Sequence, residues 1–356
     1  MHSPKSILSW IEREVKPMRR SRQKTLSTII SAAMLLNGTG VLALGRSIAS
    51  RTTPKHNIKR VWRFFRNQAV EIQSVQQALV NRLAPSNTPV VILLDWTVYG
   101  DYQTLAAAIP RDGRALPVWW KTITRKTGEG GMIKTEKEAL FAIRQLFSLR
   151  NDLILIADRG FGNTRWLTDI ENWGWAYVQR ISGSVYMGNH EYYRALKDLP
   201  ISRGDGSKSW GKIRLTKEVR FKTQLVTVFH KDAQQPWFLV TNLYQIPQKI
   251  MRLYQRRMWI EESFRDLKNR KWGLGMNGSH LKTASREDRR WTVLALAYLF
   301  LMAHGAAAEE AGLDRQIRQD TGHARAFNLA RLGAIVLSMA FVTLIEAIEA
   351  LNRLPP

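Results

Sequence analysis

The segment PVVILLDWT, residues 89–97, places five apolar residues directly before an acid, Asp95. A short, almost wholly apolar run is typical of a strand that is buried on both faces of a sheet. The segment DLILIADRGFG, residues 152–162, has the same pattern and ends its apolar run at Asp158. An acid at the end of a buried strand either caps the following turn or binds something, because a buried carboxylate is costly unless it is paired.

The surrounding sequence predicts an α/β fold with a mixed central sheet. Further strands are expected near residues 102–109, 116–124 and 175–179, and helices near residues 135–149 and from about residue 163. Residues 180–245 carry five glycines and three β-type runs (213–215, 224–229 and 237–240), which predict a β-rich insertion. We therefore expect a catalytic core over residues 89–290, interrupted by this insertion. Two apolar segments, 291–304 and 326–350, predict a helical C-terminal layer over residues 291–356.

Residues 1–88 are predicted to form a helical module. They hold fifteen lysine and arginine residues against three glutamates, so about half of the chain's formal charge of +25 lies in the first quarter. Two helices joined by a glycine turn at residues 37–40 are followed, after Pro54, by the basic and aromatic segment KRVWRFFR, residues 59–66. This order is compatible with a small DNA-binding module. An ordinary helical bundle with a solvated basic face is the alternative.

The composition favours a polyanionic partner. Lysine and arginine number 54 against 29 aspartates and glutamates, and the pI is near 10.6. Nucleic acid is the first candidate for so basic a globular chain, and a ribosome-like or merely soluble basic protein is the alternative. The chain has no cysteine, which excludes disulfides, thiol catalysis and zinc–thiolate sites. The longest apolar run, residues 292–303, is shorter than the ~20 residues of a membrane span, so we expect a buried helix and a cytoplasmic, nucleoid-associated protein.

The segment YQRRMWIEESFRDLK, residues 254–268, contains two adjacent glutamates among arginines and lysines. At ~100° per residue of a helix, Glu261 lies at the edge of the apolar face and Glu262 on the far side. One arc of about 60° collects four polar side chains: Tyr254, Arg257, Glu261 and Lys268. The adjoining apolar face consists of Leu253, Ile260, Phe264 and Leu267. We therefore expect Glu261 in the site and Glu262 in solvent.

Asp95, Asp158 and Glu261 together suggest a site for hard cations. Three carboxylates without a matching histidine pattern suit two ions such as Mg²⁺ or Mn²⁺. Two such ions activate a water or a 3′-hydroxyl and stabilise the leaving oxygen in phosphodiester transfer. The tyrosine, arginine and lysine on the same helix face are expected to hold the flanking phosphates of DNA.

These residues resemble the bacterial insertion-sequence transposases of the Asp-Asp-Glu class. The pattern YxxRxxxExxxxxxK is the YREK signature of one such family, and residues 254, 257, 261 and 268 match it at every spacing. LLDWT around Asp95 and ADRGF around Asp158 resemble the two aspartate motifs of that family. The resemblance implies a ribonuclease H-like catalytic core and a divalent metal cofactor, Mg²⁺ with Mn²⁺ as a substitute. It also implies cut-and-paste transposition by a homodimer on double-stranded DNA, which includes the terminal inverted repeats and the target.

Two further residues are candidates for DNA contacts. The resemblance implies a hairpin intermediate in which a tryptophan of the insertion stacks on a flipped base, and Trp237 in QPWFLVTN is similar to that residue. A tryptophan at the head of an apolar strand is otherwise a core residue. Arg159 follows the second aspartate directly, where it either contacts phosphate or lies in a solvated loop.

The sequence thus predicts a DNA transposase, with two rival functions. One rival is a nuclease or resolvase with the same core that cuts DNA without strand transfer. The other is a catalytically inactive, domesticated DNA-binding protein. The basic N-terminal segment and the insertion argue against the first rival, and the complete set of acids and YREK residues argues against the second.

Overall fold

The structure, a computed structural model, describes residues 4–36, 38–85, 87–148, 150–161, 164–188, 192–278, 280–317, 325, 327–339 and 344–354. Its helices are α1 (Pro4–Glu14), α2 (Arg20–Leu36), α3 (Val41–Ser47), α4 (Pro54–Arg66), α5 (Ile72–Leu83), α6 (Gly128–Leu146), α7 (Thr164–Asn172), α8 (Pro247–Gln255), α9 (Met258–Lys268), α10 (Ala284–Glu310), α11 (Leu313–Ile317), α12 (Leu329–Met339) and α13 (Leu344–Arg353). Its strands are β1 (Val90–Tyr99), β2 (Tyr102–Arg111), β3 (Arg114–Thr124), β4 (Leu153–Ala157), β5 (Ala176–Ile181), β6 (Tyr186–Gly188), β7 (Tyr193–Ala195), β8 (Gly206–Leu215), β9 (Phe221–Phe229) and β10 (Trp237–Thr241).

The strands form one mixed sheet in the order β3-β2-β1-β4-β5-β10-β9-β8-β6-β7. Strands β1, β2 and β3 make an antiparallel meander, and β4 and β5 lie parallel to β1. This arrangement confirms the predicted mixed α/β fold. The strand predicted over residues 237–240 is β10, which pairs with β5, so the β-rich segment extends the central sheet instead of forming a sheet of its own.

Several element boundaries differ from those that the sequence predicts. Pro54 begins α4 instead of ending the preceding segment, because proline is well suited to the first position of a helix. Helix α6 starts at Gly128, seven residues before the expected position. The apolar segment 326–350 contains two helices, α12 and α13, and residues 326 and 340–343 lie outside the described part of the chain.

Helix α10 is the central helix of the protein. By length and composition it could cross a membrane, but its apolar window is entirely buried within the protein, as expected for a core helix. The helices before residue 84 share its core: the Trp10 ring meets Phe300 edge-on with centroids 5.2 Å apart. Arg289 Nε also donates to Phe65 O over 2.6 Å. Residues 4–83 therefore pack against α10 and share its core.

Candidate active site

One open cleft of about 320 Å³ contains all three predicted acids, Asp95, Asp158 and Glu261. Arg257 and Lys268 line the same cleft. The structure therefore brings together five of the eight residues that the sequence singles out. Glu262 does not line the cleft and instead pairs with Arg265 on the surface, as the helical periodicity predicts.

The two aspartates lie side by side because of the register between β1 and β4. These strands are parallel, and Leu94 pairs with Ala157 immediately before the two acids. Strand β4 ends at Ala157, so Asp158 follows a strand as expected. The prediction that Asp95 ends its strand is wrong, because β1 continues to Tyr99 in its antiparallel pairing with β2. Asp95 marks the end of the parallel pairing with β4.

Glu261 reaches the cleft from the first turn of α9. The sequence predicts one continuous helix over residues 254–268, whereas the structure has two helices, α8 and α9, with a turn at Arg256 and Arg257. At this turn the backbone hydrogen bonds span three residues, as from Arg257 N to Tyr254 O, so the turn is tighter than an α-helix. The predicted face survives this break, because both turn residues keep right-handed helical dihedral angles.

Arg257 contacts two of the acids directly. Its Nη2 lies 2.6 Å from Glu261 Oε1, and its Nη1 lies 3.6 Å from Asp95 Oδ2. Arg257 is therefore directed at carboxylates in this structure, whereas the sequence predicts that it holds phosphate.

Tyr254 is buried and donates its hydroxyl to Asp158 Oδ1 over 2.9 Å. Burial raises the pKa of Tyr254 above its usual value, with a further contribution from Asp158, so the hydroxyl stays protonated and acts as a donor. The half-buried ring of Trp237 packs edge-on against Tyr254 with centroids 5.1 Å apart. Trp237 thus begins β10, as predicted, and supports a tyrosine that orients an acid of the site.

The two aspartates differ in their electrostatic environment. Burial raises the pKa of Asp95 to about 7, and the charges of Glu261 and Asp158 add to this effect against the opposing charge of Arg257. Burial also acts on Asp158, but the backbone N–H of Arg159, the Arg257 charge and the Tyr254 hydroxyl together lower its pKa.

Burial also affects one cation of the cleft. Burial lowers the pKa of Lys268, although the charge of Asp95 opposes this effect. An additional cation near Asp95 and Glu261 would favour the ionised carboxylate of Asp95.

Helix α9 is fixed to the core by two buried polar residues that the periodicity does not indicate. Ser263 Oγ accepts from Ala115 N on β3 over 2.7 Å and donates to Trp259 O. Asp266, with 3% of its side chain exposed, accepts from Arg114 Nε over 2.7 Å and from Tyr298 Oη over 2.9 Å. These bonds hold the helix that carries Glu261 against β3 and α10.

The donor set of the cleft suits a divalent cation, although the three acids are not gathered into one ligand set. Among the residues that the structure describes, no three His, Cys, Asp or Glu side chains are close enough to share a metal ion. The guanidinium of Arg257 instead contacts both Asp95 and Glu261. Carboxylate oxygens without sulfur or imidazole match the preference of Mg²⁺ and Mn²⁺, so Asp95, Asp158 and Glu261 are the residues that would hold such ions.

Arg159 lies in a neighbouring pocket of about 400 Å³, not in the cleft. Arg180, Lys197 and Phe238 line the same pocket. Arg180 also approaches one of the predicted acids, since its Nη1 is 3.9 Å from Asp158 Oδ1. The sequence gives no signal for Arg180, because it lies near the end of β5 and its neighbour in space, Asp158, follows a different strand.

The fold and the cleft define a mixed α/β protein whose central sheet carries a cluster of acids surrounded by arginine and lysine. The family described as Transposase DDE domain matches residues 111–300, which is more than half of the 356-residue chain. The chain belongs to this family and is therefore a DDE transposase. Asp158 and Glu261 lie inside the matched residues, and Asp95 precedes them. A comparison with curated proteins gives no significant match.

Proposed function

We propose that the protein catalyses metal-dependent cut-and-paste transposition of an insertion sequence. The observation that supports this most directly is the presence of Asp95, Asp158 and Glu261 in one cleft of a protein from the DDE transposase family. The sheet order β3-β2-β1-β4-β5 is also compatible with the ribonuclease H-like core that the resemblance implies.

The acids of the cleft, Tyr254 and Lys268 each have a role in this proposal. Two divalent ions, when bound, would activate water or a 3′-hydroxyl and stabilise the leaving oxygen. Asp95, Asp158 and Glu261 would supply the oxygens that hold these ions, and Tyr254 orients Asp158 through its hydroxyl. Lys268, on the same cleft wall, is placed to bind a phosphate next to the scissile bond.

A cleavage assay on DNA that carries the ends of the element tests this function. The purified chain should cut such DNA in Mg²⁺ or Mn²⁺ and not in EDTA, and it should join the cut end to a second duplex. Cutting without joining would favour the nuclease alternative. Binding without cutting in either metal would favour the inactive DNA-binding protein.

Helix α4 is the surface that we propose for duplex binding by the N-terminal segment. Its buried side packs on the core through Val61, Phe64 and Phe65. Its other side exposes a row of basic residues and one tryptophan: Lys55, Lys59, Trp62, Arg63 and Arg66. The Arg66 guanidinium lies over the Trp62 ring at 4.1 Å from its centroid. An exposed helix face with this composition complements the phosphates of a DNA groove.

Replacing both Lys59 and Arg63 by alanine should make DNA binding less dependent on salt. Each phosphate contact contributes roughly 0.9 to the slope of log K against log salt concentration, so the slope should become shallower by about 1.8. The measurement is a titration of end DNA at several salt concentrations, with the full-length chain because residues 4–83 share their core with α10. The matched control is Lys16→Ala with Arg19→Ala, an equal loss of exposed charge between α1 and α2. An equal change in both double variants would show that α4 has no special role.

Replacing Trp237 by leucine should impair hairpin formation and spare the first nick. Stacking of a base on an aromatic ring contributes roughly 1–3 kcal/mol, so hairpin formation should slow by about fivefold to 150-fold. Leucine keeps an apolar contact with Tyr254, and Trp237→Phe, which keeps a ring, is the matched control. The two steps are followed on labelled end DNA, and an abasic nucleotide at the flipped position should partly rescue the leucine variant. Equal loss of nick and hairpin would assign Trp237 to the support of Tyr254 alone.

A further inference from the structure

One guanidinium, that of Arg257, contacts two of the three carboxylates of the cleft. Its Nη2 lies 2.6 Å from Glu261 Oε1, and its Nη1 lies 3.6 Å from Asp95 Oδ2. Only 9% of its side chain is exposed. A buried arginine so close to several acids neutralises charge that would otherwise oppose their approach to one another.

The hydrogen bonding of Arg257 is incomplete. Its Nε is buried and has no hydrogen-bond partner among the described residues. Most buried polar groups in proteins are satisfied, so an orphaned donor in a site calls for an explanation. The Nη atoms of Arg257 contact the carboxylates of Asp95 and Glu261, whereas its Nε donor has no partner among the described residues.

We propose that Arg257 is the internal counter-ion of the metal-free site and is displaced from Asp95 and Glu261 when a divalent ion binds. This inference rests on the proposed metal-dependent function. Arg257 lies between the two carboxylates whose oxygens would ligate the ion. It is a positioning residue, because it keeps acids from different elements together before the metal arrives.

Metal and arginine compete for the same oxygens. Mg²⁺ binds carboxylate oxygen at about 2.0–2.1 Å, and the Glu261 oxygen accepts from Arg257 at hydrogen-bonding distance. Two cations at one carboxylate repel each other strongly in a partly buried site. When a divalent ion is bound, the guanidinium must therefore turn away from the carboxylates of Asp95 and Glu261. Its Nε, which has no partner among the described residues, could then donate to a phosphate oxygen.

The competition predicts that loss of the arginine strengthens metal binding. Arg257→Gln should bind Mn²⁺ about tenfold more tightly than the unmodified chain, within the range of roughly 5–150-fold that is typical of coupled sites. The same variant should melt at a lower temperature in EDTA and show a larger rise in melting temperature on addition of Mn²⁺. Calorimetric titration and thermal melting without DNA measure both effects. If Arg257→Gln does not fold in EDTA, Arg257→Lys, which keeps the charge on a shorter side chain, should show a smaller gain in the same direction.

The matched control is Arg265→Gln, because Arg265 lines the same cleft but is exposed and paired with Glu262. Its loss should change Mn²⁺ affinity little, since exposed charges are screened. Weaker or unchanged Mn²⁺ binding by the Arg257 variants would overturn the proposal and would leave Arg257 as a part of the ligand framework. If the unmodified chain binds no Mn²⁺, or if Asp95→Asn binds Mn²⁺ equally well, the proposed metal-dependent function itself fails.

Discussion

Glu261→Gln should reduce strand cleavage by at least about a thousandfold and leave binding to the element end largely intact. A metal ion contributes several kcal/mol of transition-state stabilisation, and about 4 kcal/mol corresponds to a factor of a thousand in rate. Glutamine keeps the size of the side chain and can still accept from Arg257, so the change removes charge without removing packing. Single-turnover cleavage of labelled end DNA, with a gel-shift titration beside it, measures the two effects separately.

Glu262→Gln is the matched control, since the same chemical change is made one residue along the same helix. Glu262 pairs with Arg265 at the surface and lies outside the cleft, so cleavage should stay within about twofold, as is usual for exposed pairs worth less than ~1 kcal/mol. Equal losses in the two variants would contradict the assignment of Glu261 to the site. A loss of end binding in Glu261→Gln would instead give Glu261 a role in DNA contact.

The two aspartates could be located from the sequence because the signal is local. An apolar run that ends in an acid specifies a buried strand, and two such strands that are parallel neighbours place their acids together. The continuation of β1 beyond Asp95 could not be predicted in this way, since it depends on pairing with β2. That pairing is set by residues on another strand, which a local pattern does not contain.

The helical periodicity placed Glu261 and Glu262 on different sides but missed Asp266. A helical wheel assumes one buried face, whereas α9 lies between β3 on one side and α10 on another. The side that the wheel assigns to solvent is covered by Tyr298, which donates to the Asp266 carboxylate. Buried polar networks of this kind depend on the layers that cover an element, and these become known only with the fold.

The role of Arg257 also depends on the fold. The sequence places a tyrosine, an arginine and a glutamate on one helix face, which is compatible with contacts to phosphate or to one another. The structure directs the tyrosine to Asp158 and the arginine to Asp95 and Glu261. Asp95 on β1 and Asp158 after β4 are distant in sequence from Tyr254 and Arg257. Helical periodicity alone therefore does not show whether these two side chains contact phosphate or carboxylate.

Arg290→Met should destabilise the protein by roughly 3–5 kcal/mol, as expected when one partner of a buried ion pair is removed. Arg290 and Glu287 on α10 are both fully buried, and Arg290 Nη2 lies 2.6 Å from Glu287 Oε2. Nη1 of Arg290 also donates to Thr39 Oγ1 over 3.0 Å and to Met276 O over 2.9 Å. One arginine therefore joins α10 to the turn after α2 and to the segment that follows α9, and its loss leaves the Glu287 carboxylate without its arginine.

For 356 residues and an unfolding entropy of about 2.1 cal/mol/K per residue, this loss corresponds to a fall in melting temperature of roughly 4–7 °C. The matched control is Arg265→Met, because Arg265 and Glu262 have the same spacing on a helix but lie at the surface, where a pair contributes less than ~1 kcal/mol. Adding Glu287→Leu to Arg290→Met should recover most of the loss, since two apolar side chains replace a buried pair at little net cost. Failure of the double variant to recover stability would mean that the bonds to Thr39 and Met276, and not the buried charge, hold the N-terminal helices on the core.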